Sequence, residues 1–148
     1  MSTYTQLLYQ IVFSTKNRVP NLVEENRETL YKYIWGILKN KQCHLYQIGG
    51  VADHVHIITH LHQSCSISSM VKDIKLATTS YIKEKQLFPN FDGWQEGYGA
   101  FSYSNSEKDR LIEYVKNQES HHLIKSFNQE LIDLLNEHQI IYDERYLH

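Results

Sequence analysis

The side chains best suited to chemistry are concentrated in residues 52–62, which read ADHVHIITHLH. As a strand, this segment puts Val55, Ile57, Thr59 and Leu61 on one face and His54, His56, Ile58, His60 and His62 on the other. Imidazoles two residues apart on one face let His54 and His56 reach a single divalent ion through neutral ring nitrogens. The same spacing also suits a solvated or hydrogen-bonded sheet face, so the pair needs a third ligand before it defines a site. A second segment, residues 111–118, places Tyr114 and Gln118 four apart. On a helix they share a face, one turn separating a phenol from a carboxamide oxygen that a hard cation would accept. Packing for Tyr114 and solvent for Gln118 is the alternative. His121 and His122 follow near the end of that helix, where the dipole favours histidine whatever its role.

Further groups suit a phosphate backbone. Lys72, Lys75, Thr79 and Lys83 form a stripe at helical spacing, and Lys16 and Arg18 follow the first predicted strand. Each is equally compatible with a wet protein face.

Positioning these groups requires the following elements. Residues 3–14, rich in Tyr, Thr, Ile, Val and Phe, predict a strand closed by a polar run and Pro20. Asn21 can cap a helix whose apolar positions Val23, Leu30, Ile34, Ile37 and Leu38 carry it to about Asn40. Strands at 44–48 and 54–61, joined by Gly49, Gly50 and a short turn, suggest a hairpin. Ile67, Met70, Ile74, Ala77 and Tyr81 make the apolar stripe of a helix between Ser66 and Lys85. A glycine-containing loop leads to a strand at 100–103. Ser106 with Asp109 opens a helix to about Gln118, and Ser126 with Gln129 opens another to about His138. The order β-α-β-β-α-β-α-α predicts an α+β, ferredoxin-like sandwich, its antiparallel sheet packed by helices and extended by C-terminal helices that carry Tyr114. Residues 1–148 read as a single domain.

A net charge of −2 argues against binding nucleic acid through bulk basicity. Residues 126–148 carry a balance of −4, leaving +2 on residues 1–125, so any nucleic-acid surface must be local. Cys43 and Cys65 form no C-x-x-C pair and read as reduced thiols. The chain has no signal-peptide pattern and no apolar run long enough for a membrane span, so a soluble cytoplasmic protein is expected. It also has no Walker loop, dinucleotide fingerprint, G-x-S-x-G elbow or H-E-x-x-H, hence no nucleotide cofactor is expected.

Four blocks, taken together and in order, carry a resemblance: 11–18 (IVFSTKNR), 49–56 (GGVADHVH), 94–102 (WQEGYGAFS) and 114–119 (YVKNQE), with 142–146 (YDERY) at the end. The chain resembles the single-tyrosine transposases of the His-hydrophobic-His nuclease superfamily, of the insertion-sequence 200/605 type. The resemblance implies that His54 and His56 are paired metal ligands, Gln118 the third ligand and Tyr114 the nucleophile. It further implies Mg²⁺ or Mn²⁺, single-stranded DNA with hairpin ends as substrate, a 5′-phosphotyrosine intermediate and a homodimer. Gln10 stands before Ile-Val-Phe where many of these relatives have histidine. A domesticated relative that nicks host repeat hairpins, a non-catalytic hairpin-binding protein on the same scaffold and a histidine-rich metal-binding regulator are the competing readings.

Overall fold

The computed structural model describes residues 2–118 and 125–147. Six of the seven residues of β1 (Leu8–Ser14) are buried, from both faces, as befits a central strand. It lies between β3 (His54–His60) and β4 (Gly99–Tyr103), and β2 (His44–Gly50) pairs with the far side of β3. The order is β2-β3-β1-β4, and every neighbouring pair is antiparallel.

Helices α1 (Glu24–Asn40) and α2 (Ile67–Lys85) cover one face, packing Leu30, Ile34, Leu38, Met70 and Ile74 onto Ile11, Phe13, Val55 and Ile57. The opposite face carries α3 (Lys108–Lys116) and α4 (Phe127–Glu137), where Leu111, Val115 and Phe127 meet Leu8, Val12, Ile58 and Phe101. This is the ferredoxin-like α+β sandwich, with the last two helices making a third layer. Both faces of β3 are therefore covered, and neither is the wet sheet face that its histidines also allowed. No helix among the described residues is long and apolar enough to cross a membrane.

Several local expectations are corrected. The first strand starts at Leu8, not residue 3, because its partner β3 ends at His60, opposite Leu8, and leaves the earlier residues outside the ladder. Asn21 does not cap α1; the cap position is Val23, and the Asn21 amide instead donates to the Asn90 carbonyl at 3.2 Å. Gly49 and Gly50 belong to β2, and the turn is formed by residues 51–53. A Cβ on Gly49 would stand 2.2 Å from the Val115 carbonyl oxygen, so its bare backbone lets α3 lie directly on the sheet. Ser106 bonds to the Ser104 hydroxyl within a 3₁₀ turn, Asn105–Glu107, and α3 begins at Lys108. Ser66 and Ser126 do cap α2 and α4, accepting from the backbone N–H groups of Ser69 and Gln129.

Candidate active site

The face of β3 turned toward α3 and α4 buries two imidazoles: His54 and His56 are both 0% exposed. Burying such polar rings is costly unless every nitrogen finds a partner. On the outer side each one does. His54 Nδ1 lies 2.7 Å from Asp53 Oδ1, and His56 Nδ1 lies 2.8 Å from Gln10 Oε1. The Gln10 amide nitrogen donates to the Tyr103 hydroxyl at 3.1 Å, which fixes its oxygen toward His56. Both Nδ1 atoms therefore carry their protons outward and turn the Nε2 atoms inward, the arrangement typical of metal-binding histidines held by second partners.

Oxygen atoms meet these inward nitrogens. Gln118 Oε1 is 3.1 Å from His54 Nε2, and Glu130 Oε2 is 3.0 Å from His56 Nε2 and 3.6 Å from His54 Nε2. Ligand atoms of His54, His56 and Glu130 all lie within 4.8 Å of one another. Lone pairs thus face lone pairs, an arrangement that only a proton or a cation can satisfy. A small divalent ion with bonds of about 2.0–2.2 Å spaces its ligands by about 3.0–3.4 Å, close to the separations seen here. Glu130 Oε1 is buried without a hydrogen-bond partner among the described residues. The donor set fits a divalent cation.

Without an ion, the electrostatics are those of a proton shared in the cluster. Burial disfavours charge on His54, but hydrogen bonds to Asp53 and Glu130 outweigh it and hold its pKa up at about 9. Burial and repulsion by His54 push His56 down, despite Glu130. Burial would raise Glu130, yet the two imidazoles draw it down to about 2. Tyr114, half-buried on α3, has its ring centroid 6.1 Å from that of His56. Burial and the Glu130 charge push its phenol up to about 12, against a hydrogen bond with Gln118.

The structure thus brings together His54, His56, Tyr114 and Gln118. Gln118 lies beyond α3, which ends at Lys116 with Asn117 as its cap, and still reaches His54. Glu130, Gln10 and Asp53 complete the cluster; Glu130 and Asp53 were not singled out from sequence, and Gln10 was noted there only as standing where many relatives have histidine. Glu130 could have been noticed as the lone acid on the apolar stripe Phe127, Leu131, Leu134 and Leu135, and Gln10 as a polar residue between inward Leu8 and Val12.

The cationic residues are dispersed. Arg18 lies beside the site, its guanidinium carbon 5.0 Å from the Phe127 ring centroid and bonded to Asn128, while Phe127 stands 4.5 Å from the His54 ring. Lys16 faces Asp92 at 3.7 Å. Lys75 donates to the Gln95 and Gly97 carbonyls at 2.8 and 2.5 Å, holding the loop before β4. Lys72 and Lys83 are exposed on α2, in the helical layer across the sheet from Tyr114. His60 meets the Thr5 carbonyl and His62 the Ser64 hydroxyl, both apart from the cluster. His121 and His122 lie outside the described residues.

Residues 3–118 match the family described as IS200-like transposase. No curated protein matches the chain. Among solved structures, one similar fold is a candidate transposase from Deinococcus radiodurans, with a TM-score of 0.62 and 22% identity over 80% of this chain and 95% of that one. Another is a REP-associated tyrosine transposase bound to a REP hairpin, with a TM-score of 0.62 and 18% identity over 82% of this chain and 74% of that one. At these identities the structural likeness concerns the fold.

Proposed function

Because the chain belongs to the IS200-like transposase family, we propose that it cuts and rejoins single-stranded DNA at element ends, with Tyr114 as nucleophile beside a divalent-ion site. The observation that carries this reading is the convergence of Tyr114 and Gln118 with His54, His56 and Glu130, drawn from β3, α3 and α4. A pure binding module has no use for inward-facing imidazole lone pairs beside a phenol.

His54, His56, Gln118 and Glu130 would hold the ion, and two nitrogen with two oxygen donors suit Mn²⁺ as well as Mg²⁺. When bound, it supplies a Lewis acid that withdraws charge from the phosphate under attack. The protein's own part is positional. Asp53 and Gln10 fix the imidazole orientations, and the fold sets the phenol against the same cluster. Burial first, and the Glu130 charge after it, hold the Tyr114 phenol at about 12, so it stays neutral at pH 7 and is a poor nucleophile until it can give up its proton.

In the cleavage step the Tyr114 oxygen bonds to phosphorus as the bond from phosphorus to the 3′ oxygen breaks. The phenol loses its proton and the departing strand gains a 3′-hydroxyl. The 5′-phosphotyrosine conserves the ester bond, so another 3′-hydroxyl can reverse the exchange and rejoin strands. Both histidines are fully buried, with Phe127 packed on His54 and Glu130 against both rings, so a phosphate reaches them only if covering side chains move. The family further suggests hairpin-bearing ends as the DNA and a pair of chains as the working assembly.

End-labelled single strands from the flanks of the gene, incubated with protein and Mn²⁺ or Mg²⁺, test this reading. The expected products are one fragment with a free, polymerase-extendable 3′-hydroxyl and one whose 5′ end is blocked by protein. A free 5′-phosphate on the second fragment would instead indicate hydrolysis by water and remove Tyr114 from the mechanism.

A further inference from the structure

Beside the imidazole pair, toward β4, lies a cavity of about 340 Å³ between the sheet, α4 and the C-terminal segment 142–147. Its floor includes Val12 and Ser14, the residues of β1 that stand opposite His56 and His54 in the ladder. Phe127 closes its inner end, with its ring centroid 4.5 Å from that of His54. A group lodged here is therefore one ring away from the cluster to which the proposed function brings the reacting phosphate. The volume is within the roughly 300–1,000 Å³ typical of pockets that hold small ligands.

The walls select the kind of guest. Tyr98, Tyr142 and Tyr146 line the cavity, and α4 adds Leu131 and Leu135. Tyr98 and Tyr146 are 43% and 78% exposed, so ring area is left uncovered. Gly97 has nothing within 4 Å of the place a Cβ would occupy, and the loop carrying Tyr98 is open there. An aromatic and aliphatic wall favours a flat, uncharged group, and every nucleobase has a π face that can stack on tyrosine. A bare phosphate is the poorer occupant, because Glu96 and Asp143 also line the cavity. The cation that a nucleotide's phosphate needs stands at the inner end, where the Arg18 guanidinium carbon lies 5.0 Å from the Phe127 ring centroid. Arg18 is paired to the neutral amide of Asn128, and Asp53 acts on it by Coulombic attraction without a hydrogen bond. A half-buried guanidinium with no carboxylate in contact among the described residues is suited to the sugar–phosphate backbone at that end.

We propose that this cavity holds the nucleobase next to the scissile phosphate by stacking it on Tyr98 and the tyrosines of the C-terminal segment, with Arg18 on the adjoining backbone. The proposal rests on the strand-transfer reading above and adds a subsite to it. Stacking uses the face of a base and not its edge. The subsite therefore accepts any base and sets where the strand lies against the imidazoles, leaving sequence choice to other contacts.

The test uses single strands from the flanks of the gene, each carrying an abasic site or a substituted base at one position. Binding and cleavage are measured for the unaltered protein, Tyr98→Ala, Tyr98→Trp and Tyr142→Ala, with melting temperatures as the check on folding. An abasic site next to the cut should weaken binding by about tenfold in the unaltered protein, as expected for one lost base stack, whereas the natural bases at that position should bind within about twofold of one another. Tyr98→Ala and Tyr142→Ala should weaken binding of intact strands and show little further loss at that abasic position alone, and Tyr98→Trp should retain binding. Abasic effects that simply multiply with the variant effects at every position would overturn the proposal, as would alanine variants that bind intact strands normally or strong discrimination among bases at the coupled position. Cleavage by the unaltered protein without any coupled position removes the subsite and leaves strand transfer standing. Coupling without cleavage keeps the subsite and removes strand transfer, and absence of binding to any strand removes both.

Discussion

The two faces of one sheet are built for different ends. Toward α1 and α2, β3 presents Val55 and Ile57 to a layer of hydrocarbon that includes Leu30, Ile34, Met70 and Ile74. One residue along in each case, toward α3 and α4, the same strand presents His54 and His56, met by Gln10, Gln118 and Glu130 within a ring of Leu8, Val12, Ile58 and Val115. Both faces are equally buried. The first gains stability from burial without polar obligations, whereas the second holds ionisable groups out of water at a cost that only complete pairing offsets. With the α1/α2 face supplying an unbroken apolar layer, the α3/α4 face can keep an ionisable cluster whose donors fit a cation.

The largest effect that separates the faces should come from His56→Ala. Loss of an ion-holding imidazole is expected to lower cleavage by on the order of 10³-fold, several kcal/mol of transition-state stabilisation, while circular dichroism stays native. Unfolding of this variant would mean that the histidine face also carries the fold. Ile57→Ala tests the other side. It should cost about 2–5 kcal/mol in a denaturant titration, the ordinary penalty for truncating a buried Ile, and leave Mn²⁺ affinity of the folded protein unchanged. An altered Mn²⁺ affinity would show the two layers to be coupled.

Metal addition sharpens the comparison further. Mn²⁺ at about 100 times its dissociation constant should stabilise the protein by about 2.7 kcal/mol in thermal unfolding, and the gain should shrink sharply in Glu130→Ala. An unchanged gain would remove Glu130 from the ligand set. The smallest effect is expected at Lys72→Ala, an exposed change in the layer opposite Tyr114, which should shift stability by no more than about 0.5 kcal/mol. Its effect on DNA binding reports whether the strand also runs over α2. A large loss of affinity would extend the DNA surface around the sheet edge.

The same contrast explains what the sequence made legible. Alternation in β3 and the helical stripe of α2 gave the sandwich, because periodicity reports which residues face a core. The histidine pair was visible as spacing, and Tyr114 with Gln118 as a helical relation, although α3 stops before Gln118. Glu130 was not visible, since its partners lie 74 and 76 residues away on another element and nothing local distinguishes a buried acid from a solvated one. Gln10 was noted as a departure but its role was hidden, because that role depends on antiparallel register, which sets Val12 opposite His56 and leaves the Gln10 amide between His56 and Tyr103. Gly49 read as a turn residue because close contact with the α3 backbone leaves no trace in local pattern.

The most direct test of the account is to incubate the protein with single-stranded DNA from the ends of its own locus, with and without Mn²⁺, and to resolve the mixture under denaturing conditions. The account predicts a protein–DNA adduct that needs the ion, maps to Tyr114 by peptide mass and is absent in Tyr114→Phe, which still binds DNA. An adduct of equal yield in Tyr114→Phe, or cleavage without any adduct, would contradict it.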